Sequence, residues 1–258
     1  MSAGVGVVKG MLARHRVLVL LALVAVAGSL VWQLVLRTDR EMREELLART
    51  HLAASQVSLV GVQGLSGTPE DARASGYVKL KEQLAAIRAD QAMCRFVYLM
   101  GRRADGVLII YVDSEPSDSK DAVPPGKVYE EATAEEKSVF ETATARAMGP
   151  YDNRWGTWVS AQVPLVDPKS GRLVAVFGMD VEAGAWRRDV AVEVALPAGL
   201  LVLVVVMAVM FSGVVRKGGG EEAVESAEHG DTGEDVAGGG VGADGAGCDA
   251  VFRGAGDY

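Results

Sequence analysis

Two uncharged apolar runs, residues 17–36 and 194–215, constrain this chain more than any other feature of it. Each is about as long as the ~20 residues a helix needs to cross the hydrocarbon of a bilayer. No water reaches that hydrocarbon, so the backbone must satisfy its own hydrogen bonds, and a helix does so within one segment. The 157 residues between the runs, 37–193, are therefore expected to fold on the far side of a membrane.

Short charged flanks set the orientation. Lys9, Arg14, His15 and Arg16 precede the first run, and Arg216 and Lys217 follow the second. An excess of Lys and Arg marks the cytoplasmic side, which places both termini there. Arg37, Arg40 and Arg43 on the far side are offset by Asp39, Glu41, Glu44 and Glu45. The small-residue stretch Ala25-Val26-Ala27-Gly28 also fits the cleavage site of a signal peptide. The apolar run continues past it to Leu36, longer than the apolar region of a signal, and Trp32 suits an interfacial anchor. An uncleaved anchor is the expectation.

Charge has to be read by compartment. The chain carries −8 overall, yet the 41 residues after Lys217 hold ten acids and one base, Arg253. That segment alone is −9, which leaves the rest near +1, so the acidic balance says nothing about the folded domain. Thirteen of its residues are Gly. Such a composition buries too little apolar surface to offset the entropy of ordering, and residues 216–258 are expected to form a disordered cytoplasmic tail. The two cysteines, Cys94 and Cys248, fall on opposite sides of the membrane, so no bridge joins them within the chain. Cys94 is read as a small core residue at a strand entrance, with an intermolecular bridge as the alternative.

The outer domain opens on a helix. Met42, Leu46, Ala53, Val57, Val60 and Gly64 recur at steps of three, four or seven. That stripe fits a helix packed on its own domain and equally a dimer stalk continuous with the first span. Thr68-Pro69-Glu70-Asp71 reads as the start of a second helix, carrying Tyr77, Leu80, Leu84 and Ile87. The period then changes to two. Residues 96–100 and 107–112 are β-rich runs joined through Asp105-Gly106, where Gly supplies the positive φ of a hairpin turn. Thr133 and Glu136 make a capping box for a helix bearing Val139, Phe140, Ala143 and Ala147. Two more strands are expected over 157–165 and 172–181, turned at residues 167–171. The order predicts an α+β domain with a mainly antiparallel sheet and helices segregated to one side of it.

Alternation along these strands assembles a candidate site. Tyr111 and Asp113 should share one face of their strand, with Tyr98 in the facing strand of the hairpin. Asp180 is in phase with Val174 and Val176, an ionisable group at the end of an apolar strand, and Trp158 and Ser160 share a face of the neighbouring one. Carboxylates beside aromatic rings suit a cationic amine, through ion pairing and cation–π attraction. Arg95 and Arg154 are candidates for holding a carboxylate. Ordinary roles exist for each: Tyr98 and Tyr111 as core rings with wetted hydroxyls, Asp113 as a turn cap, Arg154 as a surface charge.

Catalysis finds little support. His51 is the only histidine in the outer domain and lies on the first helix, which rules out a Ser-His-Asp arrangement at the sheet. No Gly-rich phosphate loop follows a strand, and neither a metal-ligand spacing nor a basic nucleic-acid patch is present. No catalytic residue, metal or cofactor is expected.

Several stretches together resemble a bacterial Cache domain, the PAS-like extracytoplasmic sensor of histidine kinases, diguanylate cyclases and chemoreceptors. They are Arg95-Phe96-Val97-Tyr98-Leu99-Met100, Asp105-Gly106, Val112-Asp113-Ser114, Pro125-Gly126 with Tyr129, and Gly149-Pro150. The most specific are Asp152-Asn153-Arg154-Trp155-Gly156-Thr157-Trp158-Val159-Ser160-Ala161 and Phe177-Gly178-Met179-Asp180-Val181. The resemblance covers residues 37–186, about three-fifths of the chain. It implies a PAS-like sheet with a small-molecule pocket on one face, for an amine, amino acid or organic acid, and it gives Asp180 the part of binding an amine. The amino-acid-binding version has Arg, one residue, then Trp-Tyr; Arg154-Trp155-Gly156 departs from it.

The expectation is thus a homodimeric two-span protein of the bacterial inner membrane. Its parts are a cytoplasmic N-terminus over 1–16, spans at 17–36 and 194–215, a periplasmic sensor domain over 37–193 and the tail. Tyr98, Tyr111, Asp113, Arg154, Trp158 and Asp180 are its candidate ligand-binding residues. The tail shows no heptad or nucleotide motif, which leaves three readings: a sensor subunit acting through a separate signalling partner, a regulatory decoy, or, as the expectation, truncation or frameshift of a sensor-kinase-like ancestor. A membrane-tethered periplasmic adaptor without a small ligand is the contrasting reading.

Overall fold

The computed structural model describes the backbone of residues 2–228 and the side chains of residues 14–211. The expected disorder of residues 229–258, and with it His229 and Cys248, lies outside the described residues. The chain divides into two compact units, Met1–Met207 and Ala208–Tyr258. The first contains the whole sheet; in the second, residues 208–228 are helical.

The element order is α1 (Ser2–Gln56), α2 (Leu59–Gln63), a 3₁₀ turn (Pro69–Arg73), α3 (Ser75–Asp90), β1 (Phe96–Arg102), β2 (Leu108–Asp113), α4 (Ala134–Thr142), β3 (Arg146–Asn153), β4 (Gly156–Val166), β5 (Leu173–Glu182) and α5 (Ala183–Glu228). The five strands form one antiparallel sheet in the order β2-β1-β5-β4-β3, so the last strand in sequence lies at the centre. This is the α+β architecture with a long N-terminal helix that the sequence predicts.

Two helical stretches, Arg14–Gln56 and Ala183–Phe211, are long and apolar enough to cross a membrane, with mean hydropathy of 2.4 and 2.8 in their most apolar windows. Those windows are 0% and 6% buried, which separates them from the core helix of a soluble domain. Apolar surface of that length needs a lipid or protein cover. Helix α5 extends to Glu228, past the point where the disordered tail is expected to begin.

Each face of the sheet has its own core. On one face α1, α2 and α3 pack Ala54, Val62, Leu80 and Leu84 onto Val97, Leu99, Val112 and Phe177. On the other, α4 and the loop before it bring Tyr129, Val139 and Phe140 onto Tyr98, Met100, Ile110 and Val176, so helices cover both faces and the expected one-sided arrangement is corrected. A third cluster joins Leu46 of α1 to Val159, Val181 and Trp186 at the start of α5.

Local chemistry explains the boundaries and two corrections. The capping box forms in both halves: Glu136 N–H donates to Thr133 Oγ1 at 3.1 Å, and Thr133 N–H donates to Glu136 Oε2 at 2.8 Å. Helix α4 then stops at Thr142, Ala143 turns left-handed at φ 49°, and Ala147 belongs to β3. The expected helical stripe ran through two alanines, which pack as readily in a strand. At the other site Thr68 makes no side-chain cap. Asp71 reaches back instead, accepting from Ser66 N–H at 3.0 Å, Ser66 Oγ at 2.8 Å and Gly67 N–H at 2.7 Å. Those bonds fold Pro69–Arg73 into a separate 3₁₀ turn, and the amphipathic helix starts later, at Ser75.

Candidate functional site

Asp180 sits near the end of the central strand, opposite Phe96 of β1 and Ser160 of β4. Its Oδ1 accepts from Ser160 Oγ at 2.6 Å and from Tyr98 Oη at 3.0 Å. Tyr98 reaches it because its cross-strand partner is Gly178. A Cβ at 178 would lie 2.3 Å from Cε2 and Cζ of the Tyr98 ring, so glycine is what lets the ring lie flat on β5. No Lys, Arg or His pairs with Asp180 among the described residues. Burial pushes its carboxyl up to about 7, against the pull of the two hydroxyls and with the help of the Glu136 charge.

Behind Asp180 the polar groups close into a ring. Ser160 Oγ and Tyr151 Oη are 2.8 Å apart, and Tyr151 Oη donates to Glu136 Oε1 at 3.2 Å. Gln162 Nε2 donates both to Glu136 Oε1 and to Tyr98 Oη, each at 3.2 Å. Glu136 is fully buried. Burial raises the pKa of its carboxyl despite hydrogen bonds from Thr133, Tyr151 and Tyr129. Gln162 Oε1 is buried without a hydrogen-bond partner.

In front of Asp180 lies a small cavity of about 50 Å³ that opens to solvent. Its walls are aromatic, formed by Phe96, Tyr98, Tyr129 and Trp155, with Asp113 and Asp180 among the polar groups. Phe96 is held edge-on to Trp158 at 5.0 Å between centroids. Trp158 Nε1 donates to Asn153 Oδ1 at 2.9 Å, which fixes the tip of the β3–β4 hairpin against the cavity.

The acids at the mouth are neutralised. Asp113 pairs with Lys81 Nζ at 2.5 Å and also accepts from Val123 N–H. Glu115 pairs with Arg88 and, at 2.6 Å, with Arg95, whose other arm reaches Asp121 at 2.9 Å. What remains facing the cavity without a cation is Asp180. Among the described residues no group of three or more His, Cys, Asp or Glu side chains is placed to hold a metal.

The structure brings Tyr98, Asp113 and Asp180 together in the cavity wall and sets Trp158 directly behind it. It does not bring Tyr111 there. Pairing of β1 with β2 runs Tyr98 to Asp113 and Leu99 to Val112, then slips so that Met100 faces Ile110. Tyr111 occupies this β-bulge, the alternation breaks, and its ring lies on the helix-covered face against Gly101. The expected shared face of Tyr111 and Asp113 is thus corrected. Arg154 stands outside the cavity, paired with Glu131, its guanidinium 5.3 Å from the Trp155 ring. Arg95 is likewise occupied by Glu115 and Asp121.

Sequence reasoning missed Glu136, Tyr151 and Gln162. The sequence marks Glu136 as a cap only, and its second oxygen serves the ring. Tyr151 was hidden because β3 went unrecognised. Gln162 did leave a signal, standing two residues from Ser160 on the same face of an apolar strand.

No family model matches this sequence, and no curated protein matches it. Among solved structures, the chain is similar to the sensory domain of the Campylobacter jejuni chemoreceptor Tlp3 (CcmL), at 13% identity over 66% of each chain and a TM-score of 0.41. The periplasmic sensory domain of the C. jejuni chemoreceptor Tlp1 is 15% identical over 67% of this chain and 64% of that one, with a TM-score of 0.40. A protein described as methyl-accepting chemotaxis protein X is 13% identical over 62% and 65%, with a TM-score of 0.35. This chain spans just under two thirds of the length of these solved chains.

Proposed function

We propose that this protein is a membrane-anchored sensor of a small cationic amine, with residues 37–193 outside the inner membrane, spans at 17–36 and 194–215, and both termini in the cytoplasm. The observation that carries the reading is the unbalanced charge of the cavity. Each acid at its mouth is paired with a cation, whereas Asp180 opens onto four aromatic walls with none among the described residues. An ammonium group supplies the missing charge, and the ring faces add cation–π attraction of about 0.5–2 kcal/mol. A carboxylate on the ligand finds no free cation in the same wall, which favours amines over α-amino acids and organic acids. A mostly apolar and aromatic lining with one unpaired carboxylate suits a ligand with an apolar body and one charged end.

On this reading occupancy favours one of two arrangements of β5 and thereby of α5, which follows it directly. The response passes to a second copy of the chain or to a separate signalling partner. Thermal melting of the full chain in detergent, with benzylamine, isoleucine and succinate as probes of the three classes, tests the proposal. Benzylamine should raise the melting temperature, and Asp180→Ala should abolish the rise. Stabilisation by succinate alone, or a benzylamine effect that survives Asp180→Ala, would overturn it.

A further inference from the structure

Asp180 and Glu136 are two buried carboxylates joined through neutral groups, and among the described residues no cation pairs with either. One path between them runs Asp180 Oδ1, Ser160 Oγ, Tyr151 Oη, Glu136 Oε1, with steps of 2.6, 2.8 and 3.2 Å. The other runs through Tyr98 and Gln162, with steps of 3.0, 3.2 and 3.2 Å. The remaining titratable groups packed around the pair bring no charge to it. Before β1, the Cys94 thiol donates to the main-chain oxygens of Phe96 and Asp180, and burial pushes it up to about 12. Arg95 turns away to Glu115 and Asp121. Before α4, the Tyr129 hydroxyl accepts from Asn153 at 3.4 Å, and burial raises its pKa as it does those of Tyr98 and Tyr151. Lys81, Arg88 and Arg154 are engaged by Asp113, Glu115 and Glu131.

Two uncompensated anions in one buried site are far costlier than one, and such pairs titrate as a unit. We infer that Asp180 and Glu136 together bind one proton in the free protein, and that a cation entering the cavity displaces it. The first half stands on the ring alone; the second rests on the amine reading. The exchange balances: R–NH₃⁺ enters, one carboxyl O–H breaks, H⁺ leaves to solvent, and the net charge of the site is unchanged. Ser160 and Tyr151 give the proton two hydroxyls along which to pass between the carboxyls, so either can hold it. A consequence is that affinity for the amine falls about tenfold per pH unit once the pair is protonated.

Infrared spectroscopy reads the proton directly, without a ligand. In the full chain in dodecyl maltoside at about pH 6, a protonated-carboxyl carbonyl band equivalent to one group per chain should be present, and it should be gone by about pH 9. Asp180→Asn and Glu136→Gln, both isosteric, should each diminish it at the lower pH. No such band in the unaltered protein, or a band that persists in both variants, overturns the pair. Titration calorimetry with benzylamine at about pH 6, in two buffers of different ionisation enthalpy, should show close to one proton released per amine bound. Binding without release overturns the displacement and leaves the amine reading intact. No binding of benzylamine overturns the amine reading and the displacement with it, and the infrared band still decides the pair.

Discussion

Replacing Asp180 by Asn should make the protein more stable at alkaline pH, and the size of the gain follows from the site. Burial lifts the carboxyl from 3.8 in the unfolded chain to about 7 in the fold. Between those values the native state binds a proton that the unfolded state has lost, so stability falls as pH rises through the window. Above about pH 7 the cost is complete: roughly three pH units at about 1.4 kcal/mol each, or about 4 kcal/mol. Asn carries no charge at any pH, and its Oδ1 accepts from Ser160 and Tyr98 as the carboxylate does. The variant should therefore melt roughly 10 °C above the parent at about pH 8, with the difference shrinking toward zero near pH 4. Asp71 and Glu115, whose carboxyls are held low by hydrogen bonds and Arg95 despite their burial, lose their contribution on acidification in both proteins and cancel in the difference. The assay is intrinsic tryptophan fluorescence of the full chain in detergent, scanned with temperature at four or more pH values. A difference that stays flat from about pH 5 to 8, or an Asn variant less stable at the upper end, would refute the reasoning.

Three further outcomes are open to test, the first two by the same assay. Gly178→Ala drives a methyl into the Tyr98 ring and should cost about 1–3 kcal/mol while removing the hydroxyl from Asp180, so amine stabilisation should vanish. Gly101→Ala makes the matching clash with Tyr111, 2.1 Å from its Cζ, on the opposite face of the sheet. It should lower the melting temperature comparably and leave the amine response intact; loss of that response would refute the separation of the two faces. Trp158→Phe removes the donor to Asn153 and should weaken benzylamine binding several-fold, read by calorimetry.

The sequence makes the class of fold legible because periodicity reports local geometry. Asp105-Gly106 sets one hairpin, with Gly106 at φ 86°, and the capping box opens α4. Asp180 was legible for a related reason: an acid in phase with Val176 on a strand buried along most of its length has to be compensated by something. Tyr111 was misplaced because a bulge is a one-residue event that no alternating pattern announces. Arg154 stands apart from the cavity because its partner, Glu131, lies in a loop whose path depends on the finished fold. Glu136 was half-read for a deeper reason. Its cap is three residues away, but its other contacts, Tyr151 and Gln162, are cross-sheet neighbours 15 and 26 residues along the chain. Only register brings them together.

Register also decides what a change at Asp180 can move. Strand β5 ends at Glu182 and α5 begins at Ala183, so no loop absorbs a shift of the strand before it reaches the apolar helix. The first constraint the helix meets is α1. Trp186 Nε1 donates to Asp39 Oδ1 at 2.7 Å, Arg43 pairs with Asp39 at 2.8 Å, and its guanidinium lies 5.8 Å from the Trp186 ring. This clasp ties the two membrane-directed helices at the level where they leave the domain. Trp186→Phe keeps the packed ring and removes one donor to a carboxylate that is about a third exposed, a loss of about 1 kcal/mol or less after screening. Folding and benzylamine affinity should therefore change little. Movement of α5 against α1 should change a great deal, because the tie between them is gone. Spin labels at exposed positions 41 and 192, which border one cavity between these helices, report it as a distance distribution. Benzylamine should shift that distribution in the parent protein, and the shift should be lost or broadened in Trp186→Phe. An identical, undiminished shift in the variant would mean that the clasp is packing alone and that occupancy of the cavity reaches α5 by another route.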